Sequence, residues 1–185
     1  MTSWPRSGFH LQHYTSLVAL AQIELYTGDS EVAWKHIEGQ LKPLEKSMLL
    51  RIQGLRIDAL QLRGRLALAS ALGRHREARL RIAESVANRI ARENIAYATA
   101  YADLIRAGVA HRRAEDGPAV KFLENALAGF AAADMRLFAV AARWRLGELI
   151  GGDRGSELLQ DADEWMSRQQ IMNPTRIMNL MAPGF

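Results

Sequence analysis

The chain has 185 residues, of which 49% are hydrophobic and 24% charged, with a net charge of +4 and no cysteine. That length and balance fit one globular domain able to bury a core, and the missing thiols exclude disulfide frameworks and thiolate metal sites. No apolar run approaches the roughly 18 residues needed to cross a bilayer, so a cytoplasmic location without membrane contact is expected.

The charge is unevenly spread. Residues 51–92 carry ten arginines against Asp58, Glu77 and Glu84, whereas residues 1–50 sum to −1, residues 93–150 to zero and residues 151–185 to −2. The basic excess belongs to one segment, and an electrostatic partner would be sought there.

In chain order, a first helix is predicted from about His10 to Thr27, with Gly28 as its left-handed C-cap. Asp29 or Ser30 caps a second helix that turns Val32, Ala33 and Ile37 inward, with Trp34 on its flank. Pro43 removes a helical hydrogen bond, so this helix is expected to end near Leu41. A third helix has Ile52, Leu55, Ala59, Leu62, Leu66 and Ala69 at steps of three and four, with Arg56 and Arg63 beside that stripe. After Gly73 a fourth helix turns Ala78, Ile82, Val86 and Ile90 inward and gathers Arg74, Arg81 and Arg92 on another face.

The fifth helix, roughly Ile95 to Arg112, uses Tyr97, Tyr101, Leu104 and Gly108. The sixth opens at Gly117-Pro118 and is rich in Ala and Gly, which implies close approach by a neighbouring helix. The seventh presents Phe138, Ala142, Leu146 and Leu149, and the eighth Leu158, Leu159, Ala162, Trp165 and Met166. Asn173-Pro174 pairs an N-cap with proline at the first helical position, so a short helix closes the chain. No alternating strand pattern occurs anywhere.

The turns at Gly28-Asp29, Gly73-Arg74, Asp116-Gly117 and Gly151-Gly152-Asp153 recur at intervals of about forty residues, as in stacked helical hairpins. Three of them are followed by an alanine: Ala33, Ala78 and Ala119. The expected fold is therefore all-α, a right-handed superhelix of stacked antiparallel hairpins filling one domain over residues 1–185. The hairpins fall at roughly 9–46, 48–93, 94–133 and 134–170, with a short helix at 174–181. The spacings between the alanines, 45 and 41 residues, exceed the roughly 34 of a tetratricopeptide repeat. The stack is tetratricopeptide-like rather than a strict example.

Chemistry-bearing motifs are scarce. His10 and His13 share a helix face but have no third ligand at a helical offset, so capping or packing suits them better than metal. Asp161, Asp163 and Glu164 read as a solvated face, and Gly151–Gly155 lacks the Lys-Ser/Thr ending of a phosphate loop. No Ser-His-Asp arrangement, His-Arg-Asp or Asp-Phe-Gly sequence is present, so neither an enzyme nor a cofactor is expected. The arginines of residues 51–92 fall on several helix faces, with no Phe, Trp or Tyr among them. Solvated helix sides and contacts to acidic hairpins fit them better than a nucleic-acid track. Trp4, Trp34, Trp144 and Trp165 read as packing residues before binding hot spots.

Two end segments carry a resemblance. Ser3-Trp4 with Gly8-Phe9-His10-Leu11-Gln12-His13 forms one, and Ala162-Asp163-Glu164-Trp165-Met166, then Gln170 to Arg176 and Leu180 to Phe185, the other. Ala132–Met135 and Arg145–Leu149 lie between them. Together they resemble the C-terminal region of large bacterial proteins that join a eukaryotic-type serine/threonine kinase, an ATPase module and helical repeats. The kinase and ATPase motifs of that family have no matching positions here. The resemblance therefore implies a sensor or docking role for the signalling enzyme, with the kinase or ATPase part of the same polypeptide as a partner.

The expected function is a non-catalytic protein-interaction or regulatory domain. Arg56, Arg63, Arg74, Arg81, Arg92, Tyr97, Tyr101 and Trp144 are its candidate partner-binding residues. A small-ligand or peptide sensor lined by Tyr97, Tyr101 and Trp144 is the alternative, and nucleic-acid binding through residues 51–92 ranks behind both. Ala182-Pro183-Gly184-Phe185, with its proline and aromatic, is expected to pack back on the last helices.

Overall fold

The computed structural model describes residues 8–185; Ser3 and Trp4, which belong to the resemblance, lie outside the described residues. The protein is all-α, with no strand among those residues. The helices are α1 (Leu11–Thr27), α2 (Ser30–Lys46), α3 (Gln53–Ala69), α4 (Arg76–Ala91), α5 (Ala96–Arg112), α6 (Asp116–Ala132), α7 (Arg136–Ile150), α8 (Gly152–Arg168) and α9 (Pro174–Met181). Short 3-10 turns at Met48–Arg51 and Gly73–His75 precede α3 and α4.

Each helix from α1 to α7 packs on the next in sequence, and α3 also meets α1 and α5. One chain-reversal device recurs. The amide five residues beyond a terminal carbonyl returns to it at Asp29 to Glu24, Glu115 to Ala110, Met135 to Phe130 and Ile171 to Met166, at 2.8–3.0 Å. This is the Schellman pairing, which needs a left-handed residue just before that amide. Gly28 supplies the first, and Ala114, Asp134 and Gln170 supply the others at φ between +53° and +62°. The Cβ strain of those three is offset by satisfying carbonyls that would otherwise be orphaned.

Two large apolar clusters form most of the core, and a small third one joins Tyr14, Leu44 and Ala59. Leu17, Trp34, Leu62, Leu66, Leu80, Val86, Ile90 and Ile105 belong to the one built on α1–α5. Leu104, Leu123, Phe130, Leu146, Met166 and Met178 belong to the other, on α5–α9. Tyr101 and Leu180 pack against both, so α5 and α9 join the halves.

Several expectations need correction. α2 continues through Pro43 to Lys46 instead of stopping near Leu41. Leu44, 2% exposed and packed with Tyr14 and Ala59, rewards the extra turn despite one lost bond. Ala78 is exposed and Ile82 half-buried, whereas Val86 and Ile90 are buried as expected, joined by Leu80, Ala83 and Ala87. The 3-10 turn at Gly73–His75 leads into α4 at Arg76, and Ala78 falls in the exposed first turn. Val32 is 45% exposed and its neighbour Trp34 only 5%, so the flank and the interior of α2 trade places. Ile52, expected inward, precedes α3 as its N-cap and is 58% exposed.

Candidate functional site

The most constructed surface of the molecule is the one that α9 covers. Asn173 Oδ1 accepts from the Arg176 amide at 3.0 Å and Pro174 opens the helix, as the sequence implies. α9 then turns away from its sequence neighbour to pack on α1, α7 and α3. Met178 and Met181 are buried, and the following Ala182, Pro183 and Gly184 are buried too.

Helix ends leave their last carbonyls without partners. Here two buried arginines supply them from outside the helix. Arg65 of α3 donates to the Leu180 carbonyl at 2.9 Å. Arg145 of α7 donates from Nε to the Ala182 carbonyl at 3.0 Å and from a terminal nitrogen to Asn179 Oδ1 at 2.7 Å. Its remaining terminal nitrogen meets Glu148 at 2.7 Å. Both cations face the negative end of the α9 dipole, which favours them there. Each of the two guanidinium groups thus reads one backbone carbonyl of the segment, and Arg145 reads the Asn179 side chain as well.

The floor fits backbone closely. A Cβ on Gly108 of α5 would stand 2.9 Å from the Pro183 carbonyl, and one on Gly184 would stand 3.1 Å from the Gly108 Cα. Gly184 also sits at φ +107°, which other residues avoid. Phe185 stacks on His111 at 5.1 Å between centroids, with the Arg145 guanidinium 5.4 Å from its ring. The terminal residues therefore pack in this groove on α5 and α7. At the α1 side, the Arg176 guanidinium lies 5.5 Å from the Tyr26 ring.

A polar network lies on the same helix as Arg65 and reaches α1. Tyr14 donates to Asp58 Oδ2 at 2.5 Å, and Gln61 Nε2 donates to Asp58 Oδ1 at 2.9 Å. Burial, with the Asp58 carboxylate beside it, pushes the Tyr14 hydroxyl well above its usual range. Burial likewise pushes Arg65 down to about 10 and Tyr101 up to about 12. Arg65 Nε and Gln61 Oε1 are buried without a hydrogen-bond partner.

The sequence candidates are dispersed rather than gathered. Arg56 forms a two-pronged pair with Glu93, both contacts at 2.6 Å, and donates to the Leu50 carbonyl at 2.8 Å. That pairing raises the Arg56 pKa and lowers that of Glu93. Arg63 pairs with Glu38 of α2 at 3.1 Å. Arg74, Arg81 and Arg92 are exposed; Arg74 meets His75 at 3.1 Å and Arg81 meets Glu77 at 3.4 Å. Tyr97 and Tyr101 are half-buried, Tyr101 standing edge-on to Phe130 and Phe138 at 5.1 and 4.8 Å. Trp144 is half-buried and donates to Glu148 at 2.8 Å.

Among the described residues no group of three His, Asp or Glu could hold a metal ion. His13 Nδ1 accepts from the His10 amide at 3.0 Å. No helix of the described residues is long and apolar enough to cross a membrane.

Arg65 and Arg145 escaped sequence reading because arginine is read as surface. A signal was present on the third helix, where Asp58, Gln61 and Arg65 recur at steps of three and four as a polar stripe. Comparison with protein-family models, curated proteins and solved structures finds no match.

Proposed function

We propose that the chain is a non-catalytic, tetratricopeptide-like interaction domain whose hairpins form a right-handed superhelix and whose partner is a protein. In the family it resembles, that partner is the kinase or ATPase part of a signalling polypeptide. The observation that supports this reading best is the α9 groove. Its buried arginines bind main-chain carbonyls of a segment distant in sequence, Arg65 that of Leu180 and Arg145 that of Ala182. Such a surface is suited to an extended or helix-ending peptide, because every peptide offers carbonyls.

The arginines of residues 51–92 support a nucleic-acid surface less well. Arg56, Arg63, Arg79 and Arg81 are each engaged by a carboxylate, which removes much of the free charge a phosphate track needs. The test is a reciprocal capture. The immobilised chain should retain a protein at a saturable ratio, and that protein, purified, should retain the chain. Failure of both arms, together with a melting temperature raised by a metabolite, would favour the small-ligand sensor instead.

A further inference from the structure

We propose that residues 178–185 are a resident, exchangeable ligand of the groove formed by α1, α3, α5 and α7, and that the partner peptide displaces them. This rests on the interaction-domain reading and names its surface and the chemistry of its occupant. That occupant is an apolar helical turn ending in a small-proline-glycine-aromatic run.

The groove holds its present occupant as a receptor holds a peptide. Recognition is by hydrogen bonds to the Leu180 and Ala182 carbonyls, by burial of Met178 and Met181, and by the stacked Phe185 ring. The glycine contact between positions 108 and 184 excludes larger residues from the third tail position. The segment behaves as a tethered unit. It is joined to α8 through residues 169–173 and the first turn of α9; Gln169, Gln170, Met172 and Asn173 are exposed, and Gln170 sits in the left-handed region.

The fit is also incomplete. Arg65 and Gln61 are 4% and 3% exposed, yet Gln61 Oε1 and, on the guanidinium that holds the segment, Arg65 Nε have no hydrogen-bond partner. An unpaired buried polar atom is costly, so a peptide that supplies an acceptor to Arg65 gains where the resident does not. Against this, tethering gives the resident an effective concentration on the order of 1 mM, which a free peptide has to match.

The chain contains no cysteine, so one introduced thiol reports on the groove without interference. Met178→Cys places a smaller side chain at a fully buried position, and Met172→Cys, at a site 93% exposed, serves as control. The rate of maleimide modification of each full-length variant is followed against a peptide of residues 171–185, capped at both ends, and against its scrambled form. The buried thiol should react slowly alone, and about tenfold faster with the native peptide, half of the rise falling on the order of 1 mM. The scrambled peptide should do nothing, and the exposed thiol should be indifferent to both. Adding Arg145→Met should raise the basal rate and remove the peptide dependence. Met181→Cys, at 8% exposure, repeats the measurement should the first variant melt early.

A rate unmoved by native peptide in both buried variants, with melting curves intact, overturns the proposal and makes residues 178–185 a fixed part of the core. A rate that instead climbs with the concentration of the chain itself, accompanied by a dimer, overturns it in favour of exchange between two copies. Either result leaves the interaction-domain reading to stand or fall on reciprocal capture alone.

Discussion

The two halves of the protein are fastened by different means. In α5–α8 the helices meet through missing side chains. A Cβ on Gly129 would lie 2.9 Å from that of Ala100, and one on Gly155 would lie 2.6 Å from the Gly147 carbonyl. In α1–α4 arginines add ties across the apolar core. Arg79 reaches Glu31 at 3.4 Å with its guanidinium 3.9 Å from the Trp34 ring, and Arg63 reaches Glu38 at 3.1 Å. The first half also leaves apolar side chains in water, among them Leu20, Ile23, Met48 and Leu72, each more than half exposed. Close packing persists in salt and across pH, whereas ion pairs do not. The second half should therefore be the stable body on which the first half is hung, with α9 spanning both.

The largest effect should come from the second half. Phe130→Ala empties a fully buried ring position against Tyr101 and Phe138, and should cost about 3–5 kcal/mol in denaturant unfolding. Gly155→Val should cost about 1–3 kcal/mol by forcing α8 from α7, with little dependence on salt. Arg79→Met is smaller. With Glu31 half in water, losing that pair and the contact to Trp34 should cost about 1 kcal/mol at low salt, and less in 1 M NaCl. If Arg79→Met proved as costly as Phe130→Ala, the contrast between the halves would be wrong.

The smallest effect concerns acid. Glu93 has its pKa lowered in the folded state, chiefly by its hydrogen bonds from Arg56. A depressed carboxylate adds stability that is present above its unfolded value of about 4.3 and lost as pH falls through the folded one. Glu93→Gln should remove that contribution at neutral pH and flatten the acid limb of stability measured by urea titration. An acid limb identical to that of the parent chain would show that the Arg56 pair contributes nothing.

Helix type was legible from the chain, because the apolar spacing of α3, α5, α7 and α8 is strongly periodic and Gly28, Asn173 and Pro174 act locally. The breaks at Ala114, Asp134 and Gln170 were harder. Nothing in those residue types announces a left-handed turn, and it is the returning amide bonds that stabilise them there. Ala78 was misplaced because the apolar spacing runs on through it, whereas residues 72–78 are all exposed ahead of the buried face of α4. The groove was largely hidden for another reason. Arg65 and Arg145 act on carbonyls far away in sequence, and no local pattern encodes which distant backbone a guanidinium will meet. The exposed trio Arg74, Arg81 and Arg92, conspicuous as a charge pattern, takes no part in it.

Hydrogen exchange of the full chain across a denaturant series tests the central claim most directly, by comparing residues 178–185 with the buried stretch Leu104–Ala110 of α5. An exchangeable ligand should open below the free energy of global unfolding, so its amides should exchange at least about tenfold faster than those of α5 and slow when Arg65 and Arg145 are both present. Equal protection in the two segments, tracking global unfolding at every denaturant concentration, would contradict it and make α9 and its tail an inseparable part of the core.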